Sequence, residues 1–238
     1  MTIRRAGVVA AAVVAFAAPP AAAAKYPRVE QLVAFRDGTA IQKPATVKAV
    51  KLKVGGRTCA VGAATPLAAL VRIDPPKLRV RDYGSCSDRA RDAGSLFVRG
   101  IGPDVNKGID GWVYKVGRRL GTAGAADPTG PFGNGRLKDG QTVTWFYCRL
   151  DESAHSCQRT LEVKPKQSGP GQVTVRVRAY DDHAKSIPAA GATVRAGDVA
   201  ATADGDGVAV LSLPAGHHEV RAERAGDVRS FDAGVDVG

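Results

Sequence analysis

Aromatic side chains are scarce. Phe, Trp and Tyr together make up 5% of the 238 residues, and Met occurs once, as the initiator. A core drawn from this composition rests on Val, Ala and Leu, and thin cores of that kind gain from covalent staples. The lone Met excludes a Met-rich copper site. Only four His are present and no Cys-x-x-Cys pair occurs, so the usual spacing of a zinc site is missing. The apolar run Gly7 to Ala18 is twelve residues long, too short to span a bilayer as a helix, and no apolar tail closes the chain.

That short run has the layout of a secretory signal. Arg4 and Arg5 precede it, Pro19-Pro20 ends it, and Ala22-Ala23-Ala24 offers a small-residue cleavage site. The expected mature chain begins at Lys25 and is exported or held non-covalently at the cell wall. No Cys follows the apolar run to accept a lipid, and no membrane segment follows Leu213-Pro214-Ala215-Gly216. In an exported protein, four cysteines read as two disulfides with three possible connectivities. The favoured pairing is Cys59–Cys86 and Cys148–Cys157, because the second pair brackets a polar turn able to close a hairpin.

The formal charge is +11. It is not gathered into one run: Lys51 and Lys53 interleave with Val50, Leu52 and Val54, and Arg176 and Arg178 interleave with Val175 and Val177. Alternation of this kind marks the solvated face of a half-buried strand, which argues against a nucleic-acid surface. A basic surface of this sort remains open to an anionic cell-wall polymer.

The chain divides into modules. Residues 25–46 read as a lead-in with one strand, and a first module covers 47–163. There, Lys48 to Val54 reads as a strand and Thr65-Pro66 as a helix start, with Thr as N-cap and Pro at N1. The helix runs to Ile73 before Asp74-Pro75-Pro76, and further strands follow. One helix among several strands predicts an α+β, β-grasp-like domain. Lys164 to Gly171 has the composition of a linker. Beyond it, Gln172 to Tyr180 alternates strictly, and short strands recur at regular spacing to residue 238, which predicts a small Ig-like β-sandwich. The fold class is therefore mainly β.

Gly111-Trp112-Val113-Tyr114-Lys115-Val116-Gly117 and Lys138-Asp139-Gly140-Gln141-Thr142-Val143-Thr144-Trp145-Phe146-Tyr147 place Trp and Tyr at i and i+2 in two strands. These segments resemble the Gly-Trp-x-Tyr and Asp-Gly-x-x-Val-x-aromatic strands of the transcobalamin C-terminal domain. The resemblance covers about Val47 to Cys148, and departs from the family where Val116 is followed by Gly117-Arg118 rather than Asn. Gly191-Ala192-Thr193-Val194, Thr202-Ala203-Asp204-Gly205 and Leu213-Pro214-Ala215-Gly216 resemble, in that order, the carboxypeptidase-regulatory-like β-sandwich. The second resemblance implies a non-catalytic accessory module. The first implies a flat, corrinoid-like ligand.

Trp112, Tyr114, Trp145 and Tyr147 then form either a stacking platform for such a ring or the inner face of a sheet. Under the platform reading, Arg118, Arg119 and Arg136 offer charge to an anionic group, and Trp112→Ala abolishes binding while the fold survives. The glycine-rich stretch Gly121 to Gly135 is a lid or a plain connection; it leads into a strand, not a helix, and so does not fit a phosphate loop. Asp204-Gly205-Asp206-Gly207 reads as a turn, and lacks the twelve-residue ligand spacing of an EF-hand. His217 and His218 point to opposite faces of a strand. Asp151, Ser153 and His155 lie too close together for a triad. The expected function is a secreted, non-catalytic binding protein without cofactor; the rival is a structural or adhesive envelope module without a small-molecule site.

Overall fold

The computed structural model describes residues 26–238, so the expected signal segment lies outside the described residues. Strand accounts for 49% of these residues and helix for 5%. Among them, no helix is long and apolar enough to cross a membrane. The first domain runs β1 (Arg28–Ala34), β2 (Ala40–Thr46), β3 (Val50–Val54), β4 (Arg57–Val61), α1 (Pro66–Arg72), β5 (Arg79–Asp82), β6 (Leu96–Ile101), β7 (Asp104–Val105), β8 (Gly111–Val116), β9 (Arg119–Leu120) and β10 (Thr142–Cys148). Its main sheet has the order β2-β1-β10-β8-β9. β1 runs parallel to β10, with Glu30 opposite Thr142 and Ala34 opposite Phe146. A parallel pair between the first and last strands of the sheet, with one helix across a face, is the β-grasp arrangement.

The sheet corrects one expected boundary. Residues 28–46 are not a lead-in; they form the first hairpin of the domain. Strand β1 is buried along nearly its whole length, as a central strand in a parallel pairing should be. Its partner lies over a hundred residues away, so no local signal marks it as central.

Helix α1 covers the inner face. Thr65 Oγ1 accepts from Ala68 N at 3.3 Å and Pro66 occupies the first turn, as the sequence implies. Leu67 and Leu70 are fully buried. Midway along the helix, the fully buried Gln31 of β1 donates its side-chain N–H to Ala69 O at 2.7 Å, which ties helix to sheet. β3 and β4 form a separate hairpin, and β5, β6 and β7 a third sheet. The disulfides are the favoured ones: Cys59–Cys86 joins β4 to the segment after β5, and Cys148–Cys157 closes the turn after β10.

The second domain comprises β11 (Thr160–Gly169), β12 (Gln172–Tyr180), β13 (Ser186–Pro188), β14 (Thr193–Ala196), β15 (Val199–Thr202), β16 (Val208–Ser212), β17 (Gly216–Glu223) and β18 (Ala233–Val237). One sheet pairs β12 with β11, β13 and β16; the other has the order β15-β14-β17-β18. Val173, Val175, Val177 and Ala179 of β12 are fully buried between them, which is the inward set read from alternation. The supposed linker 164–171 is instead the second half of β11 and the turn into β12. Pro165 sits opposite Val175. Strand β11 is an edge of its sheet, and an edge tolerates a residue without an N–H. A composition rich in Pro and Gly concealed a strand.

Candidate functional site

The four aromatics do share one sheet face. In the β10–β8 register Trp145 faces Tyr114 and Tyr147 faces Trp112. The ring centroids of Tyr114 and Trp145 are 5.2 Å apart, and Trp112 meets Tyr147 edge-on at 6.3 Å. That face looks inward. Trp112 is 3% exposed and Trp145 1%, inside the cluster that includes Leu67, Leu70 and Ile101. Trp112 Nε1 donates to Asp104 O at 2.9 Å, and Tyr114 Oη donates to Ala123 O at 2.7 Å. Burial also pushes the Tyr114 hydroxyl well above the ordinary tyrosine range. These four side chains are therefore core, and no open platform for a corrin-sized ring exists on them. The reason is α1 and the glycine-rich loop: together with the sheet they close over the face that the period-two pattern identified.

The charged partners expected around a ligand lie elsewhere. Arg118 forms a two-pronged bond with Glu162, at 2.7 and 2.6 Å, and stacks on Tyr180 with its guanidinium carbon 4.5 Å from the ring centroid. The Glu162 carboxylate raises the Arg118 guanidinium further still. Arg118 thus joins the two domains. Arg136 donates to Pro128 O at 2.9 Å within the loop, and Arg119 lies over Phe132 at 4.9 Å. The loop packs against the aromatic strands closely enough that a Cβ on Gly121 would sit 2.2 Å from the Tyr114 ring.

A buried lysine completes the junction. Lys115, on the opposite face of β8 from Trp112 and Tyr114, is fully buried and reaches the start of the sandwich. Its Nζ lies 3.2 Å from Asp182 Oδ1 and donates to the carbonyls of Tyr180 at 3.2 Å and Asp181 at 3.1 Å. Asp182 Oδ2 accepts from Cys157 N at 2.9 Å. Burial pulls the ammonium below the ordinary lysine range, and the Asp182 charge opposes that pull. Gln42 and Asp232 add a reciprocal pair: Asp232 N donates to Gln42 Oε1 at 2.8 Å, and Gln42 Nε2 to Asp232 O at 3.4 Å.

Docking the domains this way leaves a cleft of about 630 Å³ between the β1–β2 turn, the end of β10, strand β14 and the β17–β18 connection. Clefts of this size at domain boundaries are the usual place for ligands. Arg36, Arg149, Arg195, Arg224 and Arg229 line it, against Asp37, Glu223 and Asp227. Arg224 is paired with Asp227 and Arg229 with Asp232. Asp37 is held by Thr39, whose hydroxyl and backbone N–H keep the carboxyl below the usual range. Arg36 lies over Tyr147, 5.0 Å from the ring centroid, so one of the four aromatics supports the cleft from beneath. Arg36, Arg149 and Arg195 are exposed and have no carboxylate partner among the described residues. Arg195 even stands opposite Arg221 across the β14–β17 ladder, a like-charge pairing that costs stability, although Glu223 holds Arg221. Sequence reading missed these three. They come from three distant segments, and each is a single Arg beside a strand end or on an exposed face.

The remaining candidates resolve locally. Asp151 accepts from Ser153 Oγ at 2.7 Å and from the backbone of Ser153 and Ala154, which is a turn and not a triad. Asp204 accepts from the backbone N–H groups of Asp206 and Val208, again a turn. His217 Nδ1 lies 2.7 Å from Asp236 Oδ1 and its Nε2 3.2 Å from Glu219 Oε1, whereas His218 Nε2 faces Pro214 O at 2.8 Å. Comparison of the chain with family models, with curated proteins and with solved structures gives no significant match.

Proposed function

We propose that this protein is an exported, non-catalytic binding module that holds an anionic polymer of the cell envelope in the cleft between its two domains. The observation that carries the reading is the trio Arg36, Arg149 and Arg195, gathered from both domains into one cleft without carboxylate partners among the described residues. Guanidinium groups without a carboxylate partner match phosphate or carboxylate in a forked geometry. Export is supported by the N-terminal apolar run and by two disulfides, which persist in oxidising compartments. The kinship with the transcobalamin C-terminal domain belongs to the same proposal, supported by the β-grasp order of the main sheet; its corrinoid ligand does not.

The test is retention of purified residues 25–238 on immobilised inorganic polyphosphate, eluted with salt. Changing Arg36, Arg149 and Arg195 together to Gln is expected to weaken binding at least tenfold. Changing Lys51, Lys53 and Arg176 to Gln removes the same charge from solvated strand faces and is expected to do little. Equal losses from both sets would overturn the cleft as a site and favour the rival reading, a structural or adhesive envelope module acting through diffuse charge.

A further inference from the structure

A second recess lies on the other side of the aromatic strand. The edges of β6 and β8 approach each other without pairing. The Asn106 side chain spans the gap, donating to Val98 O at 3.1 Å and accepting from Trp112 N at 3.0 Å. On the outer side of this bridge is an open groove of about 570 Å³, lined by Tyr83, Phe97, Arg99, Ile109, Trp112 and Leu150, among others. On the inner side is a smaller compartment of about 180 Å³, walled by Trp112, Tyr114, Trp145, Leu96 and the loop Gly121 to Ala125. Phe97, Trp112, Val113 and Leu120 are common to both. The groove shares no lining residue with the interdomain cleft.

Three features there have no structural explanation. Tyr83, Phe97 and Ile109 are exposed at 60%, 44% and 58%, and they cluster at one mouth, where scattered singles would be unremarkable. Arg99 Nε is buried and has no acceptor among the described residues. Trp145, which lines the inner compartment, is 1% exposed and its indole N–H also meets no acceptor. Buried donors are nearly always satisfied, and an unmet one costs about 1–3 kcal/mol. Arg99 lines the groove and Trp145 the compartment behind it, so an arginine without a carboxylate partner among the described residues stands beside the exposed apolar cluster, which fits a guest with one anionic group and an apolar body.

We infer that this groove binds a small aryl carboxylate, with its carboxylate on the Arg99 guanidinium and its ring against Phe97 and Trp112. An anion suits Arg99, because a guanidinium partners carboxylate strongly. An aromatic body suits the rest, because its faces and edges stack on the exposed rings of Tyr83 and Phe97. The inner compartment is about the size of an apolar cavity that takes benzene. Asp110, the nearby acid, has Oδ1 engaged by Leu150 N at 2.9 Å. That carboxylate sets a limit on how far negative charge can extend along the groove, which favours a single anionic group over a polymer.

The experiment titrates the full mature chain with 2-naphthoate, following tryptophan fluorescence, since both indoles line the inner compartment. Saturable quenching is expected. Arg99→Gln should weaken it at least tenfold, as should replacing the probe by neutral 2-naphthalenemethanol. Ile109→Asp, at an exposed position where folding is not at stake, should weaken it several-fold. The Arg36, Arg149 and Arg195 triple variant should bind naphthoate normally, so failure here and failure of the cleft are separately visible. No saturable quenching, or affinity unchanged from the unaltered protein in Arg99→Gln or in Ile109→Asp, overturns the inference.

Discussion

Lys115 Nζ and Asp182 Oδ1 stand 3.2 Å apart at the junction of two domains, the lysine fully buried and the aspartate side chain 9% exposed. An ammonium in such a place is held by the whole set of acceptors around it: the Asp182 carboxylate, the Tyr180 and Asp181 carbonyls and, at 3.4 Å, Thr160 Oγ1. The pair joins the sandwich to the β-grasp sheet together with Arg118–Glu162 and Gln42–Asp232, and these contacts frame the cleft.

Removing Asp182 alone strands the buried charge. Asp182→Leu is expected to destabilise the chain by about 3–5 kcal/mol. The double variant Lys115→Met/Asp182→Leu should recover much of that loss, since the uncompensated ion is gone. Denaturant unfolding of the three variants measures the coupling; additive losses would show that the two groups do not depend on each other.

Trp112→Ala tests the reassigned aromatic face. As a core ring whose indole N–H satisfies Asp104 O, its truncation should cost about 3–5 kcal/mol and lower the unfolding midpoint sharply. Polyphosphate binding by the fraction still folded should be unchanged, because Trp112 does not line the cleft. A stable Trp112→Ala protein would place the ring outside the core.

Gly207→Ala should be among the most damaging small substitutions in the sandwich. The residue has φ +73°, and a Cβ there would lie 2.5 Å from Val177 O and 2.9 Å from Ala189 N. Gly197 also has positive φ, at +57°, with nothing within 4 Å of a Cβ. Gly197→Ala should cost about 1 kcal/mol from backbone strain alone, and Gly207→Ala clearly more. Thermal melts of the pair provide the comparison.

His217 should titrate above its ordinary value of 6.5, first because of its bond to Asp236 and then because of Glu219. A raised folded-state value means that this group favours the folded chain at pH below 6.5 and ceases to do so as pH rises through its folded pKa. The side chain is largely exposed, so the effect is small and screened by salt. Imidazole proton shifts in nuclear magnetic resonance should return to the ordinary value in Asp236→Asn combined with Glu219→Gln. Titration at the ordinary value in the unaltered protein would contradict the geometry.

What the chain revealed in advance was local. Thr65-Pro66 marks a helix start because the cap and the fixed φ act within one turn. Gln172 to Tyr180 matches β12 residue for residue because alternation is a property of the strand itself. The cystine pairs were legible because one bracketed an obvious turn. What stayed hidden was the long-range part. Arg28 to Ala34 looks like a strand of a peripheral lead-in until its partner β10 is known. Pro165 looks like a linker residue until β11 proves to be an edge. The period-two aromatics gave the right face and the wrong side, since nothing in Trp112 or Trp145 announces that α1 and the 121–135 loop will cover them. The arginines of the cleft converge only after the domains dock.

The parallel pairing of β1 with β10 also has a consequence for how the chain matures. Arg28 N reaches Asp139 Oδ1 across 111 residues of sequence, and the strand neighbours beside that bond are equally remote. An emerging polypeptide cannot complete this sheet until Thr142 to Cys148 has appeared, so until then β1 has β2 and α1 beside it but one open edge. Synthesis halted short of residue 142 would leave a sticky, half-made intermediate. The arrival of one late strand, and the cystine that follows it, turns that intermediate into a closed domain.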